Sequence, residues 1–167
     1  MPALDPSLFA STASPTLAEP LRELITAAKM PSLGAGPRNA ALAQALSAPA
    51  ADVASLPPVA LAGLWLLVGD LDASHELSQA INDRDGSFWH GIMHRREGDF
   101  WNSKYWMRRV GSHPVITELK SRFPNYKSPE HFVDLCESAV DKSNADHAEL
   151  TAIQWAEWQL LFAHCLS

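Results

Sequence analysis

Residues 86–115 read GSFWHGIMHRREGDFWNSKYWMRRVGSHPV. The periodicity of this stretch sets the fold class. At 100° per residue, Phe88, Ile92, Arg96, Trp89 and Met93 cover one arc of about 140°, and Glu97, His90 and His94 share the adjoining arc of about 60°. That spacing predicts a helix from a Ser87 N-cap to Glu97, with two imidazoles and a carboxylate along one edge of its apolar face. Gly98 and Asp99 break it, Asn102 is placed to cap a second helix and Gly111 to end it. Arg108 and Arg109 fall in the last turn, where cations suit the negative end of the helix dipole or meet an anion. The Ser112-His113-Pro114 step should be extended, because proline disfavours the α conformation in the residue before it. A further helix then runs from Pro114 to about Phe123.

Upstream, Pro57 and Pro58 suit the first turn of a helix expected to continue to about Ile81. Leu61, Leu64, Val68, Leu71 and His75 fall on one stripe, so His75 stands in line with core leucines, with Asp72 one turn before it. Residues 1–58 hold nine of the twelve prolines. They read as an Ala/Pro-rich N-terminal arm, loose over its first dozen residues, with short helices over Thr16–Met30 and Asn39–Leu46. Downstream, Ser128 and Pro129 open a helix ending near Lys142, and Ala145–Cys165 forms a central one. On that last helix Glu157 occupies a stripe shared with Leu150, Ile153 and Leu161, so it either edges out to solvent or meets a cation or metal inside.

No strand alternation, hairpin turn or repeat is visible. The fold expected is all-α: a single-domain helical bundle of about five to seven helices, divided into the arm (1–58) and a helical core domain (59–167) carrying the His-rich site. A chain of 167 residues suits one domain. A formal charge of −6 argues against a nucleic-acid partner, since phosphate neutralisation needs a basic face. Two cysteines, Cys136 and Cys165, form no metal or redox motif. The longest apolar run, Val59 to Val68, is about half a bilayer span, and no secretory signal opens the chain. A cytoplasmic location without membrane contact is the expectation.

The pattern H-x3-H-x2-E sets His90, His94 and Glu97 on successive turns, where two imidazoles reach one ion and a carboxylate joins or orients them. It is not the zinc-protease motif, because Gly91 stands where that motif has glutamate. If the short 82–86 turn makes the flanking helices antiparallel neighbours, His75 joins the pair. Three imidazoles leave open positions for water or substrate. The metal reading is therefore zinc or iron held by His75, His90 and His94, with Glu97 as ligand or general base. Trp89, Arg96, Tyr105 and Arg109 would hold a small anionic or aromatic substrate, and hydrolase or non-haem oxidoreductase chemistry fits equally. The alternative is a metal-free binding module or scaffold in which the same residues form a hydrogen-bonded network.

FWHGIMHRREGDFWNSKYWMRRVGSHP, with DASHELSQ upstream, resembles the signature of a group of uncharacterised bacterial and fungal proteins. The resemblance covers roughly residues 60–120 and implies no activity, ligand or cofactor.

Overall fold

A computed structural model of the chain describes residues 19–29, 32–48, 51–140 and 146–167. Within them the chain forms α1 (Glu19–Ala27), α2 (Ala40–Ser47), the single turn α3 (Ala51–Ala54), α4 (Pro58–Val68), α5 (Leu71–Gln79), α6 (Arg84–Glu97), α7 (Phe100–Val110), α8 (Pro114–Arg122), α9 (Pro129–Ala139) and α10 (Asp146–Leu166). No strand occurs among the described residues. Nor is any helix there long and apolar enough to cross a membrane. The looseness expected of the first dozen residues falls outside the described residues.

The helices outnumber the five to seven expected, for two reasons. The helix expected over 59–81 is two helices. Gly69 adopts a left-handed conformation (φ +84°) that ends α4, and the Asp70 carboxylate then accepts from Ala73 N–H at 3.2 Å to start α5. The second reason is that the two short arm helices expected are joined by a third, Ala51–Ala54, and pack with the rest. Leu21, Ile25, Leu33, Leu42, Leu46 and Leu56 all lie in the same apolar core as the later helices.

Aspartates, not the expected Ser87 and Asn102, cap the two helices of the 86–115 stretch. Asp83 accepts from Gly86 N–H at 2.8 Å and Asp99 from Asn102 N–H at 3.1 Å. A carboxylate at the N-terminus pairs an orphan donor and also meets the positive end of the dipole. Ser87 instead spends its hydroxyl on the Asp83 carbonyl at 2.8 Å, one turn back. The cap at Ser128 and the extended His113 before Pro114 agree with the sequence, and Asn39 caps α2 by accepting from Leu42 N–H.

α6 is the centre of the molecule. Every residue from Gly86 to Arg96 is buried, although the helix is strongly polar. It packs against α5 on one side and α7 on another, with α4 behind. Small side chains bring these backbones close and tie them together. Ser74 donates to the Ala62 carbonyl at 2.9 Å, linking α5 to α4, and Ser103 donates to the Gly91 carbonyl at 2.7 Å, linking α7 to α6. Trp158 on α10 donates its indole N–H to the Gly63 carbonyl at 2.8 Å. Each bond satisfies a buried polar group that would otherwise oppose packing.

Candidate metal centre

The short connection between α5 and α6 makes the two helices adjacent, and His75 faces the two histidines of α6. The ring centroids are 4.7 Å apart for His75 and His90, 5.4 Å for His75 and His94, and 4.7 Å for His90 and His94. One nitrogen from each ring lies within 4.8 Å of the others, so the group can hold a metal ion. The two α6 rings stack, 18° from parallel, and His75 meets both edge-on.

His90 is the unusual member. It is 3% exposed, and neither ring nitrogen has a hydrogen-bond partner. Burial, with His94 and His75 beside it, pushes its pKa down to about 3. The ring is therefore neutral and keeps a free lone pair, the form in which imidazole binds a metal. Its other face stacks on Trp106 of α7, centroids 4.0 Å apart and 15° from parallel. His94, also buried, has its Nδ1 2.5 Å from Glu97 Oε1. The carboxylate accepts a proton-bearing Nδ1, which leaves the lone pair of His94 on Nε2. Glu97 thus orients a ring.

The four residues expected to hold substrate separate into two pairs. Arg109 and Tyr105 stand beside the histidines, through Trp106: the Arg109 guanidinium lies 5.2 Å from the Trp106 ring and 5.9 Å from the Tyr105 ring, and Tyr105 meets Trp106 edge-on at 5.3 Å. Tyr105 is 43% exposed, so this edge is open to a ligand. Trp89 and Arg96 require correction. Trp89 is wholly enclosed, tilted against Trp158 with centroids 6.3 Å apart, and no surface of its ring is left for a substrate. Arg96 turns away into the protein, where it donates to the carbonyls of Gly34 (3.1 Å), Ala35 (2.9 Å) and Leu66. Burial, with Arg95 next to it, lowers its pKa to about 10, which still leaves it charged at neutral pH. Asp72, expected to support His75, is exposed.

Trp106 is one of the aromatics whose crowding in the 86–115 stretch suggests a pocket wall, though the periodicity does not tie it to His90. It lies on α7 and reaches His90 across the α6–α7 contact, and no local spacing encodes that contact. Glu157 settles on the inward alternative: it is fully buried and pairs with Arg95, Oε2 to Nη2 at 2.5 Å.

A second histidine group, Asp85, His113 and His164, has comparable spacing but different chemistry. His113 Nδ1 accepts from the Val115 N–H at 3.2 Å, capping α8, and Nε2 lies 2.7 Å from Asp85 Oδ1. With Nδ1 accepting, the neutral ring carries its proton on Nε2 and donates it to Asp85. The hydrogen bond from His113 holds the Asp85 carboxyl below the usual range against the opposing effect of burial, and His164 adds to the lowering. Both nitrogens of His113 are thus engaged, and a metal on this ring would have to displace either the Val115 or the Asp85 bond. A third group among the described residues, His94, Glu97 and Asp99, shares His94 and has two exposed carboxylates, whereas His90 and His94 of the first group are both buried. No protein-family model, curated protein or solved structure matches the chain.

Proposed function

We propose that the protein is a metal-dependent enzyme in which His75, His90 and His94 bind one divalent ion, zinc or iron in preference to magnesium, because imidazole nitrogen suits the former. The observation that carries this reading is His90: a buried imidazole with two unpartnered nitrogens, set between two others. Buried polar groups are nearly always paired, and a metal–nitrogen bond supplies the partner that the lone pair of this neutral ring lacks. A tetrahedral ion about 2.0–2.1 Å from each nitrogen sets its ligand atoms roughly 3.4 Å apart, so the group contracts modestly on binding. Rotation of the imidazole rings about their broad χ2 wells supplies such a movement.

Three protein ligands leave a position for water or a substrate oxygen, which a zinc or iron ion polarises. Glu97 fixes the tautomer and direction of His94. Arg109 and Tyr105, gathered around Trp106, would hold a small anionic or aromatic molecule, by charge and by ring contact respectively. Hydrolysis and non-haem oxidation both suit this constellation.

A metal-free binding module has one observation in its favour. His94, His90, Trp106 and Arg109 already form a continuous stack joining α6 to α7 without an ion.

Metal analysis of protein purified without a His-tag separates the readings. The enzyme reading expects about one zinc or iron ion per chain, lost in a His90→Ala/His94→Ala variant, and a rise in melting temperature with added metal in the wild type alone. Wild-type protein that holds no metal and gains no thermal stability from zinc or iron would leave the metal-free module.

A further inference from the structure

Away from the three histidines, a cavity of about 300 Å³ opens between the end of α1, the loop over residues 32–39, the C-terminus of α4 and Arg96. Among the described residues its charged lining is Lys29, Arg38 and Arg96, with no carboxylate. Gly36 and Gly69 bring backbone to its wall in left-handed conformations, at φ +70° and +84°. A Cβ on Gly69 would stand 3.0 Å from the Pro37 carbonyl, so the α4 terminus and the loop approach as closely as glycine permits.

Arg96 is the telling residue. It is 4% exposed, and its three hydrogen bonds all go to neutral carbonyls. Among the described residues no carboxylate lies within ion-pair distance of it. Arg95, the residue before it, has the buried Glu157 as counter-charge; Arg96 has nothing equivalent. Carbonyl dipoles solvate a guanidinium without neutralising it, and an uncompensated buried cation is costly. Three carbonyls also leave two of its five N–H donors unspent.

We propose that this cavity binds a small oxyanion, a phosphate or carboxylate group carried by a small molecule. Arg96 is its buried cation, and Lys29 and Arg38 are its rim. Arg38 already pairs with Asp70 at 3.0 Å and keeps donors to share, whereas Lys29 has no ion pair among the described residues. The volume matches the lower end of small-molecule sites, which suits a compact ligand. A guanidinium presents paired donors that match the oxygens of phosphate and carboxylate alike. The site is independent of the metal: Arg96 is two residues beyond His94 yet directed into the 32–39 loop, and none of the three histidines lines the cavity.

Titration of the full chain with inorganic phosphate in the presence of a chelator, followed by amide NMR, tests this directly. Saturable shifts concentrated at Gly36, Asn39 and Gly69 are expected, absent with sodium chloride at matched ionic strength. A Lys29→Gln/Arg38→Gln variant should bind about tenfold more weakly, the effect of losing charge-assisted contacts. The His90→Ala/His94→Ala variant should bind as the wild type does, so failure of the metal reading would leave this one standing. An Arg96→Lys variant, checked for native helix content, retains charge but loses the planar fork and should also weaken binding. Shifts that do not saturate, that chloride reproduces, or that persist equally in the Lys29/Arg38 variant would overturn the proposal.

Discussion

Arg95 on α6 and Glu157 on α10 face each other with no exposed side-chain surface on either, joined by two hydrogen bonds, Nη2 to Oε2 at 2.5 Å and Nη1 to Oε1 at 3.3 Å. Phe132 of α9 covers the guanidinium, 4.5 Å from ring to carbon, and Gln154 accepts a longer bond of 3.4 Å. Three helices therefore meet at one ion pair. Removing a single partner strands the other charge in the core, at a cost of about 3–5 kcal/mol. Glu157→Ala and Arg95→Met should each lose that much in urea unfolding. An Arg95→Met/Glu157→Leu double variant should recover most of it, because exchanging a buried pair for apolar side chains is often neutral or better. A double variant as unstable as the sum of the singles would show that the pair's net contribution is large.

Gly63 on α4 lies under Trp89, and a Cβ there would stand 2.6 Å from the indole Cζ2. The ring is fully enclosed and cannot swing out without disturbing Trp158. Gly63→Ala gains helix propensity by about 1 kcal/mol but overpacks the core, which typically costs about 1–3 kcal/mol. A net loss of stability is the expected outcome, measured by thermal or urea unfolding. A stabilised variant would mean that the α4–α6 contact yields more easily than its geometry indicates.

The parts of this arrangement that were legible in the sequence are those encoded by local spacing. The i, i+4 pair His90 and His94, with Glu97 three residues on, had to share an edge of one helix, and the few residues between two helical runs had to bring His75 alongside. The Gly69-Asp70 pair is also a recognisable stop and cap, but the apolar stripe running through Leu64, Val68 and Leu71 competed with it and pointed to one helix. Stripe phase alone cannot register a helix break. The fates of Arg95 and Arg96 were not legible. Their partners lie about sixty residues away in either direction, at Glu157 and in the 34–35 backbone. Arg96 does fall on the apolar arc of its helix, so spacing points it inward, but it does not say what pairs with it there. Glu157 marked itself as anomalous by its place among leucines, and only packing could supply its cation.

His113 does two jobs with its two nitrogens, capping α8 through Nδ1 and holding Asp85 through Nε2. Replacing it by asparagine keeps a capping oxygen and surrenders the bond to Asp85, whereas alanine loses both. Loss of a cap costs typically ~1 kcal/mol and loss of a charged hydrogen bond about 1.5–3 kcal/mol. His113→Ala should therefore be the less stable of the two. Because both nitrogens of this ring are already engaged, neither it nor His164→Ala should alter the number of metal ions bound per chain. Loss of metal from His164→Ala would transfer the candidate centre to the Asp85 group.

His90 makes a pH prediction whose direction follows from its surroundings. The groups facing it are His75 from α5, His94 from its own helix and, beyond Trp106, the Arg109 guanidinium of α7. Burial is the largest cause that disfavours a charge on His90, and His94 and then His75 add to it, so the folded value falls to about 3. The unfolded value is about 6.5, so between these two the unfolded chain takes up a proton that the folded one refuses. Stability is accordingly untouched by this group above pH 6.5 and lost as pH falls towards 3, by up to about 1.4 kcal/mol per unit. In chelated protein, where no metal competes for the lone pair, urea unfolding of the wild type and a His90→Phe variant isolates the effect, since phenylalanine keeps the stack on Trp106 and cannot titrate. The wild type should lose roughly 1.6 kcal/mol relative to the variant between pH 6.5 and 5. A constant difference across that range would mean that His90 accepts its proton in the folded state, and that the lone pair offered to a metal is contested by solvent.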